Sequence, residues 1–196
     1  YPEKVKELDK LFWEEAARNQ VLPMDTTTFT RSLLPRPNLT AGRTVFTYSG
    51  EVTGTSNANA PNLLASSYNF KAEIEVPEGG AEGMLVTQGG RFAGYGFYLL
   101  KGKPVYTWNL FGMKHVRWEG PDALTPGKHT VEFDFKYDGL GAETLQYGSP
   151  SGLGRSGTGY LKVDGKVVAT QKMEKTIPML LQWSESFDVG ADKGSP

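Results

Sequence analysis

The residues best placed to do chemistry are three glutamates in the segment "KAEIEVPE": Glu73, Glu75 and Glu78. On an extended strand Glu73 and Glu75 leave the same face, because side chains repeat every two residues. Paired carboxylates are the machinery of glycoside hydrolysis, one acting as nucleophile or base and the other as acid. Ile74 and Val76 alternate with them, so the same pattern also describes the solvated face of a half-buried strand. The two histidines, His115 and His129, come with no Ser or Asp pattern, and each reads as a polar surface residue rather than a base or a ligand. Asp188 and Asp192, in "DVGADKG", offer carboxylates to a calcium ion but lack the oxygen count of a dedicated loop, so the segment reads as a turn.

A second cluster lies in "EGMLVTQGGRFAGYGFYLLKGKPVYTWNLFG", residues 82–112. Gly89, Gly90, Gly94 and Gly96 suggest a phosphate-cradling loop. Such a loop needs a helix whose N-terminus meets the anion. Here Phe97, Tyr98, Leu99 and Leu100 continue as a strand, and no Lys-Ser or Lys-Thr pair closes the loop. The glycines therefore predict a turn at 89–90, then positions where a strand bends or a neighbouring backbone comes close. Tyr95, Tyr98, Tyr106, Trp108 and Trp118 form either a sugar-stacking platform or core and cross-strand pairs. Alternation leaves both open, because 95–100 and 105–110 are apolar on both faces, as expected of strands in mid-sheet. Arg91 and Arg155, each beside glycine-rich turns, are candidate contacts for a sulfated glycan, or ordinary surface arginines.

The elements that must position these groups are legible from periodicity. Val5, Leu8, Leu11, Phe12 and Ala16 recur at helical spacing, with Pro2 in the first turn. Lys10–Glu14 and Glu14–Arg18 are spaced to pair on the exposed side. The pattern predicts one amphipathic helix over 3–20, within an N-terminal segment 1–25 that exits at Pro23. Residues 26–42 have no period and read as an irregular linker. From Arg43 onward the period is two. "FKAEIEV" and "TVEFDFKY" alternate, and hairpins are expected at Lys101-Gly102 and Asp164-Gly165. Nine or ten short strands over 43–196 predict a mainly β fold, an antiparallel jelly-roll or concanavalin-like β-sandwich preceded by one α-helix.

Composition narrows the function classes. The net charge is −1 over 196 residues, which carries no electrostatic footprint for nucleic acid or an anionic membrane. No apolar run approaches the length that spans a bilayer. With no cysteine, disulfides, thiolate catalysis and cysteine zinc sites are excluded, while the compartment is left open. There is no signal-like segment, and Tyr1 in place of Met points to a processed or excised piece.

Two resemblances follow from these segments. "AEIEVPE" is similar to the E-x-D-x-x-E strand of laminarinase-type glycoside hydrolases, with Glu73, Glu75 and Glu78 at the matching positions. Glu75 stands where that family has Asp, and Pro77 pushes Glu78 into the turn that follows. The second resemblance covers nearly the whole chain. "YPEKVKELDKLFWEEAARNQVLPMD" resembles the last helix of bacterial arylsulfatases of the alkaline-phosphatase-like superfamily. "GRTVFTYSG", the 82–112 segment, "LTPGKHTVEFDFKYDG", "GTGYLKVDGKVVAT" and "SESFDVGADKGSP" look like the C-terminal β region of the same enzymes, in the same order. The resemblance implies a piece of a sulfuric ester hydrolase whose parent carries calcium and a formylglycine made within C/S-x-P-x-R. In this chain the nearest decoy, "GSPSGLGR", has Gly148 and Gly152 at the two deciding positions around Pro150. It therefore implies no catalytic, cofactor or metal residue here, a missing catalytic domain as partner, and a further strand beyond Pro196. A lectin-like module with some carbohydrate contact is the alternative.

Overall fold

A computed structural model of the chain describes residues 1–24, 40–110, 112–139, 154–176 and 185–194. Most of the expected linker 26–42 and the "GSPSGLGR" decoy lie outside the described residues. The chain divides into two compact units, Tyr1–Pro37 and Asn38–Pro196.

The first unit is built on α1 (Pro2–Arg18), with Tyr1 as N-cap and Pro2 in the first turn, where its missing N–H is not needed. The helix stops two residues short of the expected end. Asn19 caps it, its side-chain amide donating to the Glu15 carbonyl at 2.8 Å, and Gln20 turns away with a φ of 57°. Lys10 reaches Glu14 at 3.7 Å, as the spacing predicts. Arg18 does not pair with Glu14; it pairs with Glu15 at 3.1 Å, because i,i+3 and i,i+4 positions are both neighbours on a helix. Ala16 is buried, whereas Val5, Leu8, Leu11, Phe12 and Trp13 are between 47% and 67% exposed.

The second unit consists of two antiparallel sheets, consistent with a β-sandwich. The ten strands among its described residues are β1 (Val52–Thr55), β2 (Tyr68–Val76), β3 (Gly83–Gly89), β4 (Ala93–Leu100), β5 (Lys103–Leu110), β6 (Lys114–Glu119), β7 (Gly127–Tyr137), β8 (Gly157–Val163), β9 (Lys166–Met173) and β10 (Phe187–Val189). The larger sheet runs β1-β10-β3-β4-β5-β6 and the smaller runs β2-β7-β8-β9. β4 and β5, apolar on both faces, sit in mid-sheet as expected. Both hairpin turns form where predicted. Lys101 and Gly102 have φ of 51° and 74°, and Asp164 and Gly165 have 49° and 78°, the left-handed pair of a type I′ turn. One expectation fails at the start. Residues 43–49 form no strand, although Tyr48 packs its ring 5.4 Å from Phe187.

The core lies between the sheets. Tyr106 and Phe133 stack with ring centroids 3.5 Å apart, and Trp118 meets Phe133 edge-on at 5.0 Å. The Trp118 indole N–H donates to the Gly159 carbonyl at 2.9 Å. Gly159 is required by this contact, because a Cβ there would stand 2.6 Å from Phe133 and 2.8 Å from Trp118. Another close approach explains two of the opening glycines. Gly89 and Gly94 face each other across β3 and β4, and a Cβ on either one would run into the opposite backbone. Gly96 differs, since a Cβ there would make only ordinary contacts beginning at 3.6 Å.

Candidate functional site

Antiparallel register sets Gln88 on β3 beside Tyr95 on β4, and Tyr95 beside Trp108 on β5. This row lies on the inner face of the larger sheet. Across the interior, β2 and β7 bring Tyr68 opposite Phe135, and Tyr137 ends β7. The segment 57–66 spans the gap between the two rows. Together they enclose a cavity of about 220 Å³.

Its polar groups are tied together. Gln88, 3% exposed, donates from Nε2 to Asn57 Oδ1 at 2.8 Å and accepts from the Tyr95 hydroxyl at 3.2 Å. The hydroxyls of Tyr68 and Tyr106 share a hydrogen bond of 2.9 Å. Burial pushes the Tyr95 and Tyr106 hydroxyls well above the ordinary tyrosine range, with neighbouring tyrosines adding to the shift, so both are neutral groups. Among the described residues that line it, none is Asp, Glu, Lys, Arg or His. The walls offer amides, hydroxyls and rings, which suits recognition and provides neither a nucleophile with a base nor a ligand set for a metal.

The residues singled out from sequence fall in different places. Glu73 and Glu75 stand on the exposed face of β2, Glu73 accepting from Lys71 at 3.1 Å. β2 ends at Val76, and Pro77 begins the turn that carries Glu78, with Gly80 N–H donating to the Pro77 carbonyl. His115 is exposed on β6. The aromatic set splits: Tyr106 and Trp118 are core, Tyr98 is on the outer face near Arg117, and Tyr95 and Trp108 line the cavity. Arg91 and Arg155 are exposed and neither lines the cavity.

Of the segment expected to be a turn, Asp188 lies on the short strand β10, and Asp192 lies in the turn beyond it. Asp188 is 1% exposed and accepts from Gly54 N–H, the Ser186 hydroxyl and Lys193 N–H. Burial pushes its carboxyl up, but those three bonds and the Lys193 charge outweigh it and hold the group below its usual range. Asp192 accepts from Gly194 N–H at 3.1 Å.

His129 lies at the surface as read, but it is held by more partners than a lone surface residue. Its Nδ1 lies 2.8 Å from Asp164 Oδ2 and its Nε2 lies 2.8 Å from the Thr125 carbonyl. Both partners are acceptors, so both ring nitrogens donate, which favours the imidazolium. The Asp164 hydrogen bond, then the Thr125 carbonyl, raise the His129 pKa. The Thr130 N–H and then His129 lower that of Asp164. This pair was missed because its members are 35 residues apart and meet only through the β7–β8 register. Asn57 and Gln88 were missed because a lone amide in sequence carries no signal.

No family model, no curated protein and no solved structure matches this chain.

Proposed function

We propose that this chain is a noncatalytic β-sandwich of jelly-roll, concanavalin-like type from the C-terminal region of an arylsulfatase-type sulfuric ester hydrolase, packing on that enzyme's catalytic domain. The observation that carries the proposal is the apolar stripe of α1. Val5, Leu8, Leu11, Phe12 and Trp13 are exposed, while Lys4–Glu7, Lys6–Glu3, Lys10–Glu14 and Arg18–Glu15 pair along the same helix. An apolar stripe of this kind is built to be covered. The ordered set of sulfatase-like segments names the partner that covers it. Calcium and formylglycine belong to that partner; of the acidic residues described above, Glu73 and Glu75 are on a solvated face and Asp188 is taken up by three hydrogen bonds.

The test is the coding sequence upstream of Tyr1. A C/S-x-P-x-R motif well upstream, in the same reading frame, is the expected result. A start codon or signal peptide immediately before Tyr1 overturns the proposal. In the full-length protein, Leu8→Asp combined with Phe12→Asp is expected to expose the junction to limited proteolysis while the sandwich stays folded.

A further inference from the structure

Packing alone does not account for the cavity beside Gln88. Protein interiors are close-packed, because an unfilled void forfeits contacts. Here about 220 Å³ stays open between two aromatic sheets, room for roughly seven waters.

The two tryptophans of the sandwich that lie among the described residues show how this end differs. Trp118 has its indole N–H bonded to the Gly159 carbonyl and its ring against Phe133 and Tyr106. Trp108 is 6% exposed and lines the cavity, yet among the described residues its indole N–H has no partner and its ring no aromatic neighbour. The nitrogen is within reach of water, so this donor is open to an acceptor placed in the cavity. Gln88 adds to this. Its amide can make four hydrogen bonds, and Asn57 and Tyr95 take two of them. One N–H and one lone pair remain on an amide that is held through both its nitrogen and its oxygen.

We propose that this cavity binds a single neutral sugar ring, an unsulfated pyranose at the end of a glycan chain. The adjacent donor and acceptor of Gln88 match a pair of vicinal hydroxyls. The Trp108 N–H supplies a further donor. Tyr68, Tyr95 and Trp108 supply flat apolar surface for the C–H face of the ring. That none of the described lining residues is charged sets the specificity. A sulfate or carboxylate placed here would be desolvated with no cation to pair with, which is strongly unfavourable. The site stands independently of a sulfatase origin, since it uses only residues of the sandwich.

The test is titration of the full chain, labelled at the tryptophan indole nitrogens, with methyl β-D-galactopyranoside, methyl β-D-glucopyranoside and their 6-O-sulfated forms. A saturable shift of the Trp108 indole signal is expected with a neutral glycoside, with a dissociation constant on the order of 1 mM, while the Trp118 signal stays fixed. Asn57→Ala is expected to weaken binding by about tenfold, by freeing Gln88 from its anchor. Gln88→Leu is expected to abolish it. An unchanged Trp118 signal in both variants reports that the fold is retained. No Trp108 shift with either neutral glycoside, tighter binding of the sulfated forms, or unchanged affinity in both variants would overturn the proposal.

Discussion

At one end of the smaller sheet, charge closes the structure; at the other, neutral polar groups surround an opening. The first end contains the Asp164-Gly165 hairpin turn and the start of β7. Here His129 links Asp164 to the Thr125 carbonyl, and Leu124 N–H donates to the Gly102 carbonyl at 2.9 Å. The short loop 120–126 therefore contacts the hairpin tip of the larger sheet directly and that of the smaller sheet through His129. At the second end Tyr137, Phe135 and Tyr68 face Gln88, Tyr95 and Trp108 across the cavity. Ionic groups meet at the rim, where water softens their cost. Neutral groups occupy the interior, where a charge would be hard to bury. The difference teaches that one end is held by charge across the sheets, while the other keeps neutral polar groups around the cavity where binding is proposed.

The largest effect is expected from the region that both ends share. Phe133→Ala removes a fully buried ring stacked on Tyr106 and should cost about 3–5 kcal/mol. Chemical denaturation should then show both ends melting together. Gly94→Ala should cost about 3 kcal/mol, because φ of 141° and the facing Gln88 backbone both reject a Cβ. Its damage should stay near Gln88 and Tyr95. If amide exchange instead rises around His129, the two ends are not separable.

Asp188→Asn should cost about 2 kcal/mol by replacing a charged acceptor of three hydrogen bonds. Because its folded-state pKa is lowered, the Asp188 contribution is present above the ordinary value of 3.8 and lost as pH falls through the lower one. His129 has the opposite sign. Its folded-state pKa is raised above 6.5, so its contribution is full below that value and disappears as pH rises through the raised one. A melting series should thus show wild type losing stability just above pH 6.5, and His129→Gln should flatten that slope. The smallest effect is expected for Glu73→Gln, on the exposed face of β2, with no measurable change in melting temperature.

Much of the architecture was legible in local pattern. Helical spacing located α1, alternation located β2 and β7, and two X-Gly pairs located the hairpin tips, because each signal is confined to a few neighbouring residues. Residues 43–49 show the limit. Their alternation is real, but a strand also needs an edge to pair with, and sequence does not show that. The candidate site was half legible. Tyr95 and Trp108 were noticed as aromatics, yet their separation from Tyr106 and Trp118 depends on position along the strands relative to the cavity. The Gln88–Asn57 bond and the His129–Asp164 pair join segments 31 and 35 residues apart, and only tertiary register brings them into contact.

The loop 120–126 has a consequence for how such a molecule changes over time. Through Leu124 and Thr125 it ties the Gly102 tip of the larger sheet, and by way of His129 the Asp164 tip of the smaller one, into a clasp at this end. Turns at the opposite end, such as the Arg91–Phe92 corner where Phe92 is 72% exposed, can be lengthened or exchanged without undoing the clasp. The molecule is thus a handle with an interchangeable tip, and new recognition can be grafted onto it while the fold is left in place.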